Sequence, residues 1–66
     1  MTFYELQQVL KRYGTIIYTR DRLADLELME EELRELKLMG LIDDNIFREG
    51  ILVLRQETRI QRTKEK

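Results

Sequence analysis

The 66-residue sequence contains no cysteine, histidine, proline or tryptophan, and reading it through finds no serine either. These absences remove disulfide stapling, thiol and imidazole chemistry, the serine triad and Cys/His metal sites. Long apolar runs are missing as well. The run from Ile51 to Leu54 reaches four residues, and Glu5, Lys11 and Arg12 interrupt the start of the chain. Neither a transmembrane helix nor a signal peptide is expected, and the reading is a cytoplasmic chain without membrane contact. At this length one domain is the limit, because two independent cores would need more chain. What the sequence does contain is charge, 38% of its residues, beside 42% apolar ones.

The net charge of −1 conceals an uneven layout. Met1 to Arg22 carries four bases against two acids, and Leu23 to Gly50 carries nine acids against three bases. From Ile51 to Lys66 five bases face two acids. An acidic middle between basic flanks suits pairing within the molecule and also suits an anionic partner at the flanks.

Thr2 and Glu5 have the spacing of a capping box, so a helix is expected from Phe3. Phe3, Leu6, Val9, Leu10 and Tyr13 recur at three and four residues, and Gly14 supplies a left-handed stop, which predicts a first helix over 3–13. The run Thr15, Ile16, Ile17, Tyr18 and Thr19 favours extended backbone, yet no second strand-like run exists to pair with it. The segment is therefore expected to be an extended connector whose Ile16 and Ile17 plug the core, with Asp21 capping the next helix.

The second helix is expected over Arg22 to Met39, because Leu26, Met29, Leu33 and Leu36 fall within about 80° of one another on a helix. Gly40 ends it, and Leu41 and Ile42 are expected to fold back over its last turn. Asp43 or Asp44 then caps a third helix with Phe47, Ile51 and Leu54 on one face. No repeat or flexible linker interrupts this order. The fold class is therefore all-α, a compact three-helix bundle or irregular array with an extended connector between its first two helices. Residues 1–57 are expected to form the domain, and residues 58–66 a basic, frayed extension of helix three.

A core of this size supplies about 3 to 5 kcal/mol, so self-association would help. Leu28 and Leu38 lie off the helix-two stripe among acidic residues, which makes them candidates for a dimer surface.

For catalysis the remaining candidates are Asp, Glu, Lys, Tyr and Thr, and none sits in a recognisable motif, so no catalytic residue is assigned. Helix capping accounts for Asp43 and Asp44. Glu27, Glu31 and Glu35 stack along one helix face, but without a ligand-rich loop they read as a solvated acidic face. No metal or cofactor is expected.

The basic residues carry more information. Arg55, Arg59, Arg62 and Lys66 fall within about 60° on helix three, a rail about 16 Å long if the helix continues that far. Lys11, Arg12, Tyr13, Tyr18, Arg20 and Arg22 interleave bases with aromatic rings around the connector. Rings that stack on unpaired bases beside cations that hold phosphates suit single-stranded nucleic acid. The opposing features are an isoelectric point of 5.4 and core or ion-pair roles for the same side chains.

The chain also resembles a known family, the YqgQ-like family of small bacterial proteins. The resemblance rests on Phe3-Tyr4, Tyr13-Gly14-Thr15, Ile17-Tyr18-Thr19, Asp21-Arg22 and Glu27-Leu28-Met29. It continues through Glu32-Leu33-Arg34-Glu35-Leu36, Gly40-Leu41-Ile42-Asp43 and Leu54-Arg55-Gln56-Glu57. It implies a three-helix fold in cytosolic, chiefly Gram-positive proteins of unassigned role, and it supplies no catalytic residues. A looser likeness to short oligomerising helical hairpins covers Leu33 to Gln56. The sequence thus leads to a non-enzymatic binding module with single-stranded nucleic acid as partner, and with protein interaction or self-association as the alternative.

Overall fold

A computed structural model describes residues 1–64. Three helices account for the fold: α1 over Phe3–Arg12, α2 over Arg22–Leu38 and α3 over Asp44–Lys64, with no strand among the described residues. None of these helices is long and apolar enough to cross a membrane.

Each helix begins where a side chain satisfies its free amides. On α1 the Glu5 amide donates to the Thr2 hydroxyl at 3.1 Å, and the Thr2 amide donates to the Glu5 carboxylate at 2.9 Å, completing the capping box. Asp21 accepts from the amides of Leu23 and Ala24 at the start of α2. At α3 the choice between two aspartates resolves to Asp43, which accepts from the Ile46 amide at 2.8 Å. Asp44 is then the first helical residue, and it pairs with Lys37 Nζ at 2.7 Å.

The first two helices end alike. Gly14 and Gly40 take φ of +84° and +73°, a region costly for residues with a Cβ. In each case the glycine amide and the amide after it reach back to free carbonyls, as in the 2.9 Å bond from Leu41 to Leu36. These closures place the caps at Tyr13 and Met39, so both helices stop one residue earlier than periodicity predicts.

The core is leucine-rich. Leu6 and Leu10 of α1, Leu26, Met29, Leu33 and Leu36 of α2, and Ile51 and Leu54 of α3 are buried, and Ile42 closes one end. The predicted α2 stripe is therefore the buried one. Gly50 lets α3 approach closely, since a Cβ there would lie 2.8 Å from a Leu33 methyl and 3.2 Å from a Leu6 methyl. The α2–α3 hairpin is antiparallel, with Lys37 beside Asp44 at one end and Arg22 beside Glu57 at the other.

Three expected core positions turn outward. Ile16 is 79% exposed while Ile17 packs against the core, because adjacent residues of an extended segment point to opposite sides. Leu41 is exposed and Ile42 alone folds in. Tyr13 is exposed at the edge, where its hydroxyl donates to the Leu41 carbonyl at 2.9 Å and ties the end of α1 to the α2–α3 turn.

The connector is held by a residue that periodicity did not single out. Asp25, only 4% exposed, accepts from the Thr19 amide at 2.8 Å and from the Thr19 hydroxyl at 2.6 Å. Next to this clamp Arg20 adopts φ +73°, a left-handed conformation that costs a non-glycine residue about 1 to 2 kcal/mol.

Candidate interaction surface

The face built by α2 and α3 brings together the molecule's two strongest charge features. On α3, Arg55, Arg59 and Arg62 project to one side, as the helical spacing requires, and all three are exposed. Lys66, assigned to the same rail, lies outside the described residues. Arg48 joins the rail from the other end, seven residues before Arg55 and close to two full turns away. From Arg48 to Arg62 the rail runs about 21 Å at the helical rise. The sequence reading missed Arg48 by starting the series inside the basic C-terminal third, although its seven-residue spacing was legible.

The opposite wall of the same groove is acidic. Glu27, Glu30 and Glu31 of α2 and Arg55, Arg59 and Arg62 of α3 line a depression of about 760 Å³ that also includes Leu26 and Thr58. Glu30 bonds Arg34 on its own helix at 3.0 Å. Among the described residues no ion pair within 4 Å crosses between these glutamates and the rail. The groove is open along its length in a molecule 38 × 21 × 18 Å, two helices thick, so it can receive side chains from outside but cannot enclose a substrate.

Past Arg55 the face continues into a shallower recess where Leu52 lies exposed between Arg48 and Arg55. Here Lys37 and Asp44 form the pair described above, and the Lys37 ammonium holds the Asp44 carboxyl below the usual carboxylate range, through the hydrogen bond first and the charge second. Glu5 is also lowered, chiefly by the bond from the Thr2 amide. Among the described residues no cluster of three or more potential ligands is placed to hold a metal ion.

The basic and aromatic residues around the connector do not join this face. The connector runs along the other flank of α2, where Thr15 and Ile17 lie with Leu28, Glu32 and Glu35. Glu31 borders both depressions and marks the acidic crest between them. Lys11, Arg12, Arg20 and Tyr18 are exposed, Tyr18 at 78%. Tyr13 and Arg22 are engaged inside the molecule. Tyr13 bonds the Leu41 carbonyl, while the Arg22 guanidinium sits 4.5 Å from the centre of the Phe3 ring and 3.7 Å from Glu57.

The two leucines read as a dimer surface are also separated. Leu28 borders the connector recess, whereas Leu38, 87% exposed, stands at the far end of α2 with Met39 and Leu41. Ten residues of helix place them about 15 Å apart along the axis and about 80° apart around it.

A family model described as YqgQ-like matches residues 1–60. The uncharacterized protein YqgQ of Bacillus subtilis (strain 168) is 41% identical over 56 residues, which cover 85% of this chain and 79% of that protein.

Proposed function

The chain belongs to the YqgQ-like family, and from that premise we propose that it is a small, non-enzymatic binding module of the cytoplasm that works by protein–protein contact through the α2–α3 face. The observation that carries this reading is the groove whose two walls have opposite charge. A polyanion gains from the arginine wall and is repelled by Glu27, Glu30 and Glu31 in the same depression. A protein surface can offer both signs and apolar side chains for Leu52 and the groove floor. The non-enzymatic part rests on composition and charge. Histidine, cysteine and serine are absent, and among the described residues the carboxyls with displaced pKa values, Glu5 and Asp44, move down, away from the value a general acid needs at neutral pH.

The test is capture from a native lysate by immobilised protein, with and without nuclease, compared with Arg55→Glu/Arg59→Glu. The reading predicts a protein partner that survives nuclease and is lost with the charge reversal. Capture that disappears on nuclease treatment would refute it.

A second reading, single-stranded nucleic acid, draws on one specific observation, the exposed Tyr18 ring two residues before the exposed Arg20 in the connector. Because the acidic crest of α2 separates the connector from the rail, a strand would engage one of them at a time. That limits it to about three or four phosphate contacts and a salt slope of about −2 to −3.

A further inference from the structure

We propose that the α2–α3 face is self-complementary and that its partner is a second copy of this chain, related by a two-fold axis lying in the face and parallel to the helices. This rests on the protein-contact reading above and names the occupant of the same groove.

The argument is one of charge and symmetry. Such an axis preserves position along the helices and exchanges the two walls, so α2 of each copy lies over α3 of the other. Position along the hairpin is fixed by its ends, Arg22 beside Glu57 and Lys37 beside Asp44. Counting inward from both pairs, Glu27 and Glu31 fall level with the part of α3 between Arg48 and Arg55. The two-fold therefore sets Glu27 and Glu31 of one copy against Arg55 and Arg48 of the other, and sets each Lys37 level with the opposing Asp44. An axis running across the helices would instead oppose acid to acid, so charge selects a single arrangement. All four of these glutamate and arginine side chains are exposed, and among the described residues none is in an ion pair within 4 Å. Leu52, exposed between the two arginines, supplies apolar area at the contact.

The size of the face fits a weak contact. Two helices packed side by side over the length of α2 present about 25 Å by about 18 Å, which buries about 900 Å² in total, at the weak end of specific interfaces. Association is therefore expected to be weak, and to weaken further as salt is raised from about 0.05 M to about 0.5 M, because the opposed charges are solvent-exposed and screened.

The experiment is sedimentation equilibrium on the purified full chain and two variants, Arg48→Glu/Arg55→Glu and Glu27→Lys/Glu31→Lys, with circular dichroism to confirm that each is folded. Because the two-fold counts each contact twice, either variant alone should weaken association by at least about tenfold. An equimolar mixture of the two should associate within about threefold of wild type, since each acidic wall then meets a basic one. Three results would each overturn the proposal: a wild type that stays monomeric at about 1 mM, a dimer that persists in both variants, or a mixture that fails to associate. A persistent dimer abolished by Leu38→Glu would move association to the apolar end of α2. A monomeric wild type that still captures a nuclease-resistant protein through this face would sink the second copy alone and leave the protein-contact reading standing.

Discussion

Replacing Gly50 tests how closely the three helices are fitted. The residue is buried in α3, and a Cβ there would sit 2.8 Å from one Leu33 methyl, 3.3 Å from the other and 3.2 Å from a Leu6 methyl. Carbon atoms pack best at about 3.5 to 4.0 Å, so the nearest methyl must retreat by about 1 Å. Leu33 and Leu6 are fully buried, so neither side chain can swing into solvent. Alanine gains about 1 kcal/mol of helix propensity over glycine, while overpacking costs about 1 to 3 kcal/mol, so Gly50→Ala should be destabilised by about 0 to 2 kcal/mol. Gly50→Val adds two further methyls with a smaller propensity gain. Its cost should reach about 3 kcal/mol or more, comparable to the whole stability expected of so small a core. Circular dichroism melts should therefore fall in the order wild type, alanine, valine, with the valine variant largely unfolded at room temperature. A valine variant that melts at or above wild type would refute the close approach of α3 to Leu33.

Leu33→Ala should lose about 2 to 5 kcal/mol and leave the chain mostly unfolded, and an unchanged melting curve would contradict its place at the centre of the core. Asp25→Ala should cost about 1 to 3 kcal/mol by stranding the Thr19 amide, and should speed hydrogen exchange at Thr19 more than at the middle of α2; equal acceleration at both would count against a local clamp. Glu5 and Asp44 have folded pKa values below their unfolded ones, so their contribution is present above the unfolded values and is lost as pH falls through the folded ones. Melting temperature should therefore drop below about pH 4.5, less so in Glu5→Gln/Asp44→Asn; a rise on acidification to about pH 3 would contradict the assignment. Labelled oligonucleotides at low salt should show little binding by fluorescence anisotropy. Tight binding that Tyr18→Ala weakens by about 1 to 3 kcal/mol would favour the nucleic-acid reading instead.

The helices were legible because their signals are local. Thr2 with Glu5, Asp21, Gly14 and Gly40 act through hydrogen bonds within a few residues of chain, and the Leu26, Met29, Leu33 and Leu36 stripe follows from helical geometry alone. The connector was harder, since an extended segment buries alternate residues and nothing in two adjacent isoleucines says which one faces in. Asp25 left a faint trace as an acid beside the apolar stripe of α2, but its partner, six residues earlier, becomes evident only once the connector is seen folding back along that helix. The candidate site was half legible. Spacing put the arginines on one face and the glutamates on another; that the hairpin turns those faces toward one groove, and leaves Tyr18 on the far flank, depends on how α2 and α3 are rotated against each other. The separation of Leu28 from Leu38 has the same origin, because off-stripe positions share no direction unless a neighbouring element gives them one.

The central claim is that the α2–α3 face meets a second copy of this chain, and amide chemical shifts measured from about 0.01 to about 1 mM protein test it most directly. The account predicts concentration-dependent shifts gathered along α2 from Leu23 to Lys37 and on α3 from Asp44 to Glu57, with the connector around Tyr18 unmoved. Shifts confined to Tyr13, Leu38 and Leu41, or spectra that do not change across that range, would contradict it.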